Sequence, residues 1–176
     1  MQTGLGAQGK LTLTATSEGL ASGETVIDVT PTAARPFVLV IPNPPLVVLN
    51  WIRSPVTAER LDPNQPSVTS AMNSWDNVHP GGGLTPFHDG RFAIYRAYFT
   101  PRAATQKTGG QLLLRDVVGK AQVWVDGKLA GEKAIAGKGD MTVTFPAGGG
   151  ERTVSVVIEA AAPDEPAGLD GIVTVE

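Results

Sequence analysis

The stretch Ala121-Gln-Val-Trp-Val-Asp126-Gly127-Lys-Leu-Ala130 decides the fold class, because it places an Asp-Gly pair between two short runs of strand-forming residues. An Asp-Gly pair suits the two central positions of a type I′ turn, where both residues need a positive φ angle. Glycine adopts this conformation without steric cost, and aspartate tolerates it better than most residues. The stretch therefore predicts an antiparallel β-hairpin.

The first run of this hairpin has two distinct faces, since successive side chains of a strand point to opposite sides of the sheet. Ala121, Val123 and Val125 share the face expected to meet a core, whereas Trp124 lies on the other face. Trp124 is therefore predicted to pack against another strand, another domain or a ligand. Trp51 is the second tryptophan with a predicted packing or interface role.

Similar runs rich in Val, Thr and Ile recur along the chain between Gly, Asp and Pro turn residues. They predict strands at residues 10–16, 24–29, 91–99, 111–115, 141–145, 153–159 and 172–175. The run at 91–99 is apolar on both faces, which is typical of a covered strand. The series predicts an all-β fold, namely an antiparallel β-sandwich of the jelly-roll type.

The distribution of proline divides the chain into three predicted parts. Residues 1–30 contain the first two predicted strands, whose pattern predicts a β-hairpin, whereas residues 31–47 contain five prolines. A proline-rich stretch is semi-rigid, so 31–47 is predicted to be a linker that leads into a β-sandwich at 48–176. Two strands alone bury too little surface to be stable, so the hairpin is predicted to lean on another element or to be the remnant of a domain.

The overall composition excludes several classes of partner. Only 18% of the 176 residues are charged, the formal net charge is −3, and Lys and Arg form no cluster, so nucleic acid is not a predicted partner. The densest apolar stretch, residues 37–49, contains three prolines and does not suit a membrane-spanning helix. The absence of cysteine removes disulfides, thiolate zinc sites and cysteine nucleophiles.

Motifs for cofactors and nucleophilic catalysis lack the context that they need. Gly4-Leu-Gly6-Ala-Gln-Gly9 matches a dinucleotide fingerprint by letter, but that motif requires a preceding strand and a following helix. His79 and His88 are the only imidazoles and have no metal-ligand spacing, and no Gly-x-Ser-x-Gly elbow is present. The sequence therefore predicts no cofactor and no catalytic residues. A structural calcium ion held by loop carboxylates and carbonyls stays open, as does a hydrolase acting through serine and histidine.

The irregular region before residue 91 concentrates tryptophan, amide and charged residues, and loops borne on a rigid sandwich often carry binding residues. A pyranose has an apolar C–H face and a rim of hydroxyls, so it needs an aromatic platform beside directional donors and acceptors. The candidate carbohydrate-binding residues are Trp75, Asn73, Asp76, His79 and Arg91. The alternative is that Trp51 and Trp75 cover the ends of the sandwich.

Three of these stretches together resemble a known family. Phe92-Ala-Ile-Tyr-Arg-Ala-Tyr-Phe99, with its Tyr-Arg pair, precedes the Asp-Gly hairpin at 121–131, and Thr153-Val-Ser-Val-Val-Ile158 follows. This order resembles the galactose-binding-like jelly rolls of glycoside hydrolase family 2. Residues 72–76 and 167–175 look like the C-terminal version of that domain in bacterial β-galactosidase-like enzymes. Residues 9–29 are similar to the last two strands of the immunoglobulin-like domain that often precedes it.

The resemblance implies a fragment of a larger glycosidase and covers residues 48–176. The two catalytic glutamates of that family lie in a TIM barrel of about 250 residues, which this chain cannot contain, so the chain is expected to be inactive alone. The implied partners are the other domains of the parent hydrolase and a carbohydrate, either a galactoside or an oligosaccharide. The location stays open on the sequence, and a bacterial parent of this type is compatible with a periplasmic or extracellular one.

Besides the hydrolase acting through serine and histidine, two non-catalytic functions stay open on the sequence. One is a non-catalytic accessory domain of the carbohydrate-binding type. The other is a structural module for interdomain packing or oligomerisation of the parent enzyme without sugar binding. Fold alone cannot choose between them, because appended jelly rolls serve both purposes.

Overall fold

A computed structural model describes residues 8–30, 44–67 and 75–176. The chain forms two compact units, Met1–Asn43 and Pro44–Glu176. Within the described residues the strands and the helix are β1 Gly9–Ala15, β2 Gly23–Val29, β3 Leu46–Val47, β4 Trp51–Arg53, β5 Asp76–Val78, β6 Phe92–Phe99, α1 Ala103–Thr108, β7 Gly110–Val118, β8 Lys120–Val125, β9 Lys128–Lys133, β10 Gly139–Phe145, β11 Arg152–Glu159, β12 Gly168–Leu169 and β13 Val173–Val175. The described residues contain no helix that is long and apolar enough to cross a membrane.

The first unit contains the predicted N-terminal hairpin. Strands β1 and β2 pair antiparallel over their whole length, from Gly9 opposite Val29 to Ala15 opposite Gly23. Its side chains are mostly exposed, and these include the apolar residue Ile27. The pairing confirms the hairpin expected from the alternating pattern.

The second unit is an antiparallel β-sandwich, as the sequence predicts. A six-stranded sheet has the order β5-β4-β6-β11-β8-β9. A five-stranded sheet has the order β10-β7-β13-β3, and β12 also pairs with β7. Every paired strand in the described part of the chain runs antiparallel to its neighbour. The all-β prediction is therefore confirmed.

The hairpin predicted around Asp126 and Gly127 is present in the structure. Strands β8 and β9 pair antiparallel, and a register shift lies between Val123 and Trp124. The turn residues Asp126 and Gly127 have φ angles of 48° and 76°. Both angles are positive, which is the signature of a type I′ turn and explains why the Asp-Gly pair is needed there.

The core lies between the two sheets and is closed by aromatic and branched side chains. On the six-stranded sheet, alternate residues of β6 contribute Tyr95, Ala97 and Phe99 to it. Phe99 meets Phe145 of the five-stranded sheet edge to face, with ring centroids 5.7 Å apart. We call the core-facing side of the six-stranded sheet its inner face and the opposite side its outer face.

Strand β6 is also covered on its outer face, which explains its doubly apolar sequence. Ile94 lies on that side and is fully buried. The residues after β4 pass along it, because the Ser54 backbone N–H donates to the Ile94 carbonyl at 2.8 Å and the Ser54 hydroxyl accepts from the Ile94 N–H at 2.9 Å. The segment 54–67 therefore serves as a cover for this part of the sheet.

Helix α1 and the short strands β3, β4, β5 and β12 have no counterpart in the sequence prediction. Helix α1 buries none of its six residues, so it has no apolar stripe that a pattern could reveal. Gly109 ends it with a φ angle of 80°. Leu46 and Val47, which the sequence pattern places in the proline-rich linker, pair with β13 and so form part of the sandwich unit.

Candidate functional site

A cavity of about 330 Å³ opens beside strands β4 and β5. We call it the Arg53 pocket. Its lining consists of Arg53, Asp76, Asn77, Val78, His79, Pro80, Gly82, Gly83, Leu84, Thr85, Tyr95 and Leu169. The pocket thus lies between the ends of the two short strands β4 and β5 and the loop that follows β5.

Strand pairing brings the central residues of the pocket together. Arg53 lies opposite Asp76 on one side and opposite Tyr95 on the other. Directly opposed residues point to the same face of a sheet, so all three side chains belong to the inner face. The chain then turns at His79, whose carbonyl accepts from the Gly82 N–H at 2.9 Å.

Arg53 is the main hydrogen-bond donor of the pocket. Its Nη1 donates to the Thr85 hydroxyl at 2.5 Å, and its Nη2 lies 3.5 Å from a carboxylate oxygen of Asp76. Its Nε is buried and has no hydrogen-bond partner among the described residues. The two contacts place the donors of the Arg53 guanidinium beside an exposed carboxylate acceptor.

Tyr95 forms a neutral polar wall behind this pair. Burial raises the pKa of its phenol, and the neighbouring charge of Arg53 opposes that rise. Its hydroxyl donates to the Ala167 carbonyl at 3.3 Å. Tyr95 therefore stays protonated at neutral pH. It forms part of the pocket wall and does not act as a general acid or base.

The pocket has the groups for binding but not the pair of acids for glycoside hydrolysis. Hydrolysis of this kind uses two carboxyl groups that flank the scissile bond. Among the described residues that line the pocket, Asp76 is the only carboxylic acid. A guanidinium beside a carboxylate can instead donate to one hydroxyl and accept from the next.

The structure separates the residues that the sequence proposed as one surface. Asp76 and His79 both line the Arg53 pocket. Trp75 instead lies against Arg96 on the outer face, with the guanidinium carbon 4.8 Å from the ring centroid. Arg91 belongs to a different place, where it donates to Glu159 at 2.8 Å and to a backbone carbonyl.

The other three candidate residues, Asn73, Trp51 and Trp124, lie outside the Arg53 pocket or outside the described residues. Asn73 lies outside the described residues. Trp51 is buried in the core, and its indole N–H donates to the Val48 carbonyl at 2.9 Å. Trp124 is half-buried on the outer face, as its place in the alternation predicts. Its indole nitrogen has no partner among the described residues.

Sequence reasoning missed Arg53, Thr85 and Tyr95 as pocket residues. Arg53 stands in a strand of three residues, which is too short to show an alternating pattern. Tyr95 appeared as part of an apolar strand, and its approach to Arg53 depends on pairing between β4 and β6. The sequence does contain one signal for Arg53. It lies two residues after Trp51, so in a strand the two side chains share one face of the sheet.

The remaining titratable clusters offer no metal site in the part of the chain that the structure describes. His88 and Asp164 form an exposed pair at 3.0 Å. Arg115, Asp116, Lys138, Asp140 and Asp170 form a network of exposed ion pairs. The first contributor to the lowered pKa of Asp140 is the N–H donated by the Asp116 backbone, followed by the Arg115 guanidinium.

Comparison with known proteins finds structures of similar fold but no protein of similar sequence. The chain matches no protein-family model and no curated protein sequence. Solved structures do match it. A family 2 glycosyl hydrolase from Bacteroides cellulosilyticus superposes with a TM-score of 0.54 at 14% identity, covering 73% of this chain and 20% of that chain. This chain shares its fold with part of the family 2 glycosidases.

Two other structures give the same result. A β-glucuronidase from Faecalibacterium prausnitzii matches with a TM-score of 0.51 at 16% identity, covering 76% of this chain and 31% of that chain. A β-glycosidase from Bacteroides vulgatus matches with a TM-score of 0.52 at 15% identity, covering 73% and 19% respectively. The chain thus spans between a fifth and a third of the length of these enzymes.

Proposed function

We propose that this chain is a non-catalytic accessory domain of a β-galactosidase-like family 2 glycoside hydrolase and that it binds carbohydrate in the Arg53 pocket. The observation that carries the proposal is the Arg53–Asp76 ion pair, with its atoms 3.5 Å apart, in the lining of a cavity of about 330 Å³. Ligand pockets for small molecules begin at about 300 Å³, so this cavity suits a single sugar ring.

The polar groups of the pocket match the rim of a pyranose. Asp76 is exposed and accepts hydrogen bonds, Arg53 donates them, and the ring of His79 does either according to its tautomer. A sugar exchanges bonds to water for bonds to these groups, with a net gain of about 1 kcal/mol for each bond. A few such bonds give a dissociation constant on the order of millimolar.

The fold likeness supports the context of this proposal. The matched enzymes are named as glycosidases, and the chain corresponds to 20% of one family 2 member from Bacteroides cellulosilyticus. The catalytic barrel of such an enzyme needs about 250 residues of its own. The accessory role therefore leaves catalysis to the parent hydrolase, in which other domains are the partners of this chain.

Nuclear magnetic resonance titration tests the proposal directly. Methyl β-galactoside and lactose, each raised to tens of millimolar, are expected to shift the amide signals of residues around Arg53 and His79. Asp76→Ala is expected to weaken the binding at least fivefold. Glu151→Ala is the matched control, because it removes an exposed acid that does not line the pocket. Absence of shifts at the pocket with both sugars would refute the proposal.

A second candidate function, a structural module without sugar binding, is favoured by an apolar surface. Val47 lies opposite Thr174, and the hydrogen bond from the Val48 N–H to the Val173 carbonyl continues this register. The register places Leu49 and Ile172 on the same face as Val47, and each of the three side chains is exposed. Apolar groups gathered in this way commonly mark a protein interface.

Light scattering tests this second candidate. A structural module that associates through this face is expected to form dimers at high concentration, and Leu49→Ser is expected to return it to a monomer. Ile135→Ser serves as the control, because Ile135 is also exposed but lies in the loop after β9. A wild-type chain that stays monomeric at every concentration would count against association through this surface.

A further inference from the structure

A second cavity, of about 280 Å³, lies on the outer face of the six-stranded sheet. We call it the Tyr98 cavity, and its lining includes Asn64, Arg96, Tyr98, Asp126 and Thr153. Strand β6 separates it from the Arg53 pocket, because Arg96 and Tyr98 alternate with inner-face residues of the same strand. The two cavities therefore lie on opposite faces of one sheet.

Arg96 is a nearly buried charge at the base of this cavity. Only 5% of the residue is exposed. Its Nε donates to the Ser155 hydroxyl at 3.0 Å, its Nη2 donates to the Pro63 carbonyl at 2.7 Å, and Trp75 covers it. These contacts hold the guanidinium in place but supply no negative charge.

No carboxylate of the described residues forms an ion pair with Arg96. Asp126 lines the same cavity, but its carboxylate is engaged by the Arg152 guanidinium at 2.5 Å and by the Thr153 N–H at 3.0 Å. A buried charge is costly unless an opposite charge accompanies it. The electrostatics of the cavity therefore favour an anionic ligand.

The rest of the cavity suits a sugar ring. Tyr98 is 47% exposed and offers an aromatic surface for an apolar ring face. Thr153 lies directly opposite Tyr98 on β11, and the exposed amide of Asn64 comes from the covering segment. A hydroxyl and an amide both donate and accept, so they fit the hydroxyls at the edge of a pyranose.

We propose that the Tyr98 cavity is a second carbohydrate site and that it selects an acidic pyranose, a uronic acid or a glycan that ends in one. The sugar carboxylate pairs with Arg96, the ring lies on Tyr98, and the ring hydroxyls bind Asn64 and Thr153. The ligand class rests on the proposed carbohydrate-binding function, whereas the location and the charge preference rest on this cavity alone.

The test is a titration of the isotope-labelled chain with D-galacturonate, D-galactose and the methyl ester of galacturonate. Galacturonate is expected to shift amide signals around Tyr98 and Thr153 and to bind there at least tenfold more tightly than the two neutral sugars. Raising the salt concentration is expected to weaken galacturonate binding modestly and to leave the binding of the neutral sugars unchanged, because salt screens a nearly buried charge such as Arg96 less than an exposed one.

Single-residue variants test whether galacturonate binds in the Tyr98 cavity. Tyr98→Ala is expected to weaken galacturonate binding at least fivefold, and Asn64→Ala provides a second change that leaves the sheet untouched. Leu129→Ala is the matched control, because Leu129 is 48% exposed and does not line the cavity. Equal weakening by Tyr98→Ala and Leu129→Ala would overturn the site.

The outcomes separate the two proposals. Equal affinity for galacturonate and galactose at the Tyr98 cavity would overturn the charge preference. Sugar-induced shifts confined to the Arg53 pocket would overturn the Tyr98 site and leave the proposed function standing. Shifts confined to the Tyr98 cavity would support this site and refute the Arg53 pocket, and no shifts at either cavity would refute both.

Discussion

Asp126 supports the hairpin turn and a nearly buried arginine at once, so its replacement by alanine tests both roles. Its carboxylate lies 2.5 Å from the Arg152 guanidinium, whose side chain is only 9% exposed. The same carboxylate accepts from the Thr153 N–H at 3.0 Å. Its backbone has a φ angle of 48°, in the region that alanine tolerates poorly.

The expected loss of stability is about 3.5–4 kcal/mol, summed over these contributions. Breaking a fully buried ion pair costs about 3–5 kcal/mol, and we take about 2 because the carboxylate is partly exposed to solvent. A left-handed backbone costs a β-carbon-bearing residue such as alanine about 1 kcal/mol. The remainder is the hydrogen bond to Thr153, at about 0.5–1 kcal/mol.

Urea denaturation at pH 7, followed by tryptophan fluorescence, measures this loss. Asp126→Asn is expected to lose about half as much, because asparagine tolerates the left-handed backbone and keeps an acceptor oxygen. Asp164→Ala is the control for the backbone contribution, since Asp164 has a φ angle of 64° and its partner His88 is exposed. It is expected to cost about 1 kcal/mol.

The reasoning is refuted if Asp126→Ala costs no more than Asp164→Ala. That result would mean that Arg152 is satisfied without a carboxylate. The Pro146 carbonyl, which accepts from Nη2 of Arg152 at 2.8 Å, would then be its sufficient partner. The denaturant slope of each variant also has to match that of the wild type for the comparison to measure stability.

Three further predictions concern the sandwich unit. Trp51→Phe is expected to lower the free energy of unfolding by about 2 kcal/mol in urea, since it leaves the buried Val48 carbonyl without its indole donor. Gly90→Ala is expected to cost about 1–3 kcal/mol in the same assay, because the new β-carbon would lie 2.5 Å from the Thr57 backbone; full stability would show that the loop moves freely. The pKa of Asp140 is lowered from 3.8 by a donated backbone N–H and then by a guanidinium, so the unfolded state binds more protons and stability rises with pH across that window. The stability advantage of the wild type over Asp140→Asn at pH 7 is therefore expected to disappear as the pH falls below 3.8 through the folded pKa, and an advantage constant down to pH 2 would contradict it.

The sequence predicts the regular sheet well because its signals are local. The Asp126-Gly127 turn needs only two adjacent residues, and the strand before it needs only alternation over six. Strand β6 was recognisable because both of its faces are apolar. The short strands β4 and β5 gave no such signal, since three residues cannot establish a period of two.

The candidate site was harder to predict because it depends on strand pairing. Trp75 and Asp76 are adjacent in the chain, so the sequence predicts that they share one surface. Asp76 begins a strand and faces Arg53, whereas Trp75 covers Arg96 on the other side of the sheet. Successive residues of a strand point to opposite faces of the sheet. Two residues that are adjacent in the sequence therefore lie on different surfaces here.

Arg96 connects these observations through the segment 54–67. Apolar residues suit a covered sheet face. Ile94 is such a residue, since it is fully buried and its N–H donates to the hydroxyl of Ser54 in the covering segment. A charged residue two positions later gains nothing from burial unless the cover supplies partners. Pro63 supplies a carbonyl and Trp75 supplies a ring, so the arginine binds the covering segment to the sheet. Neither partner carries a negative charge, and no carboxylate of the described residues pairs with Arg96. Binding of an acidic ligand therefore distinguishes an arginine that binds ligand from a purely structural one.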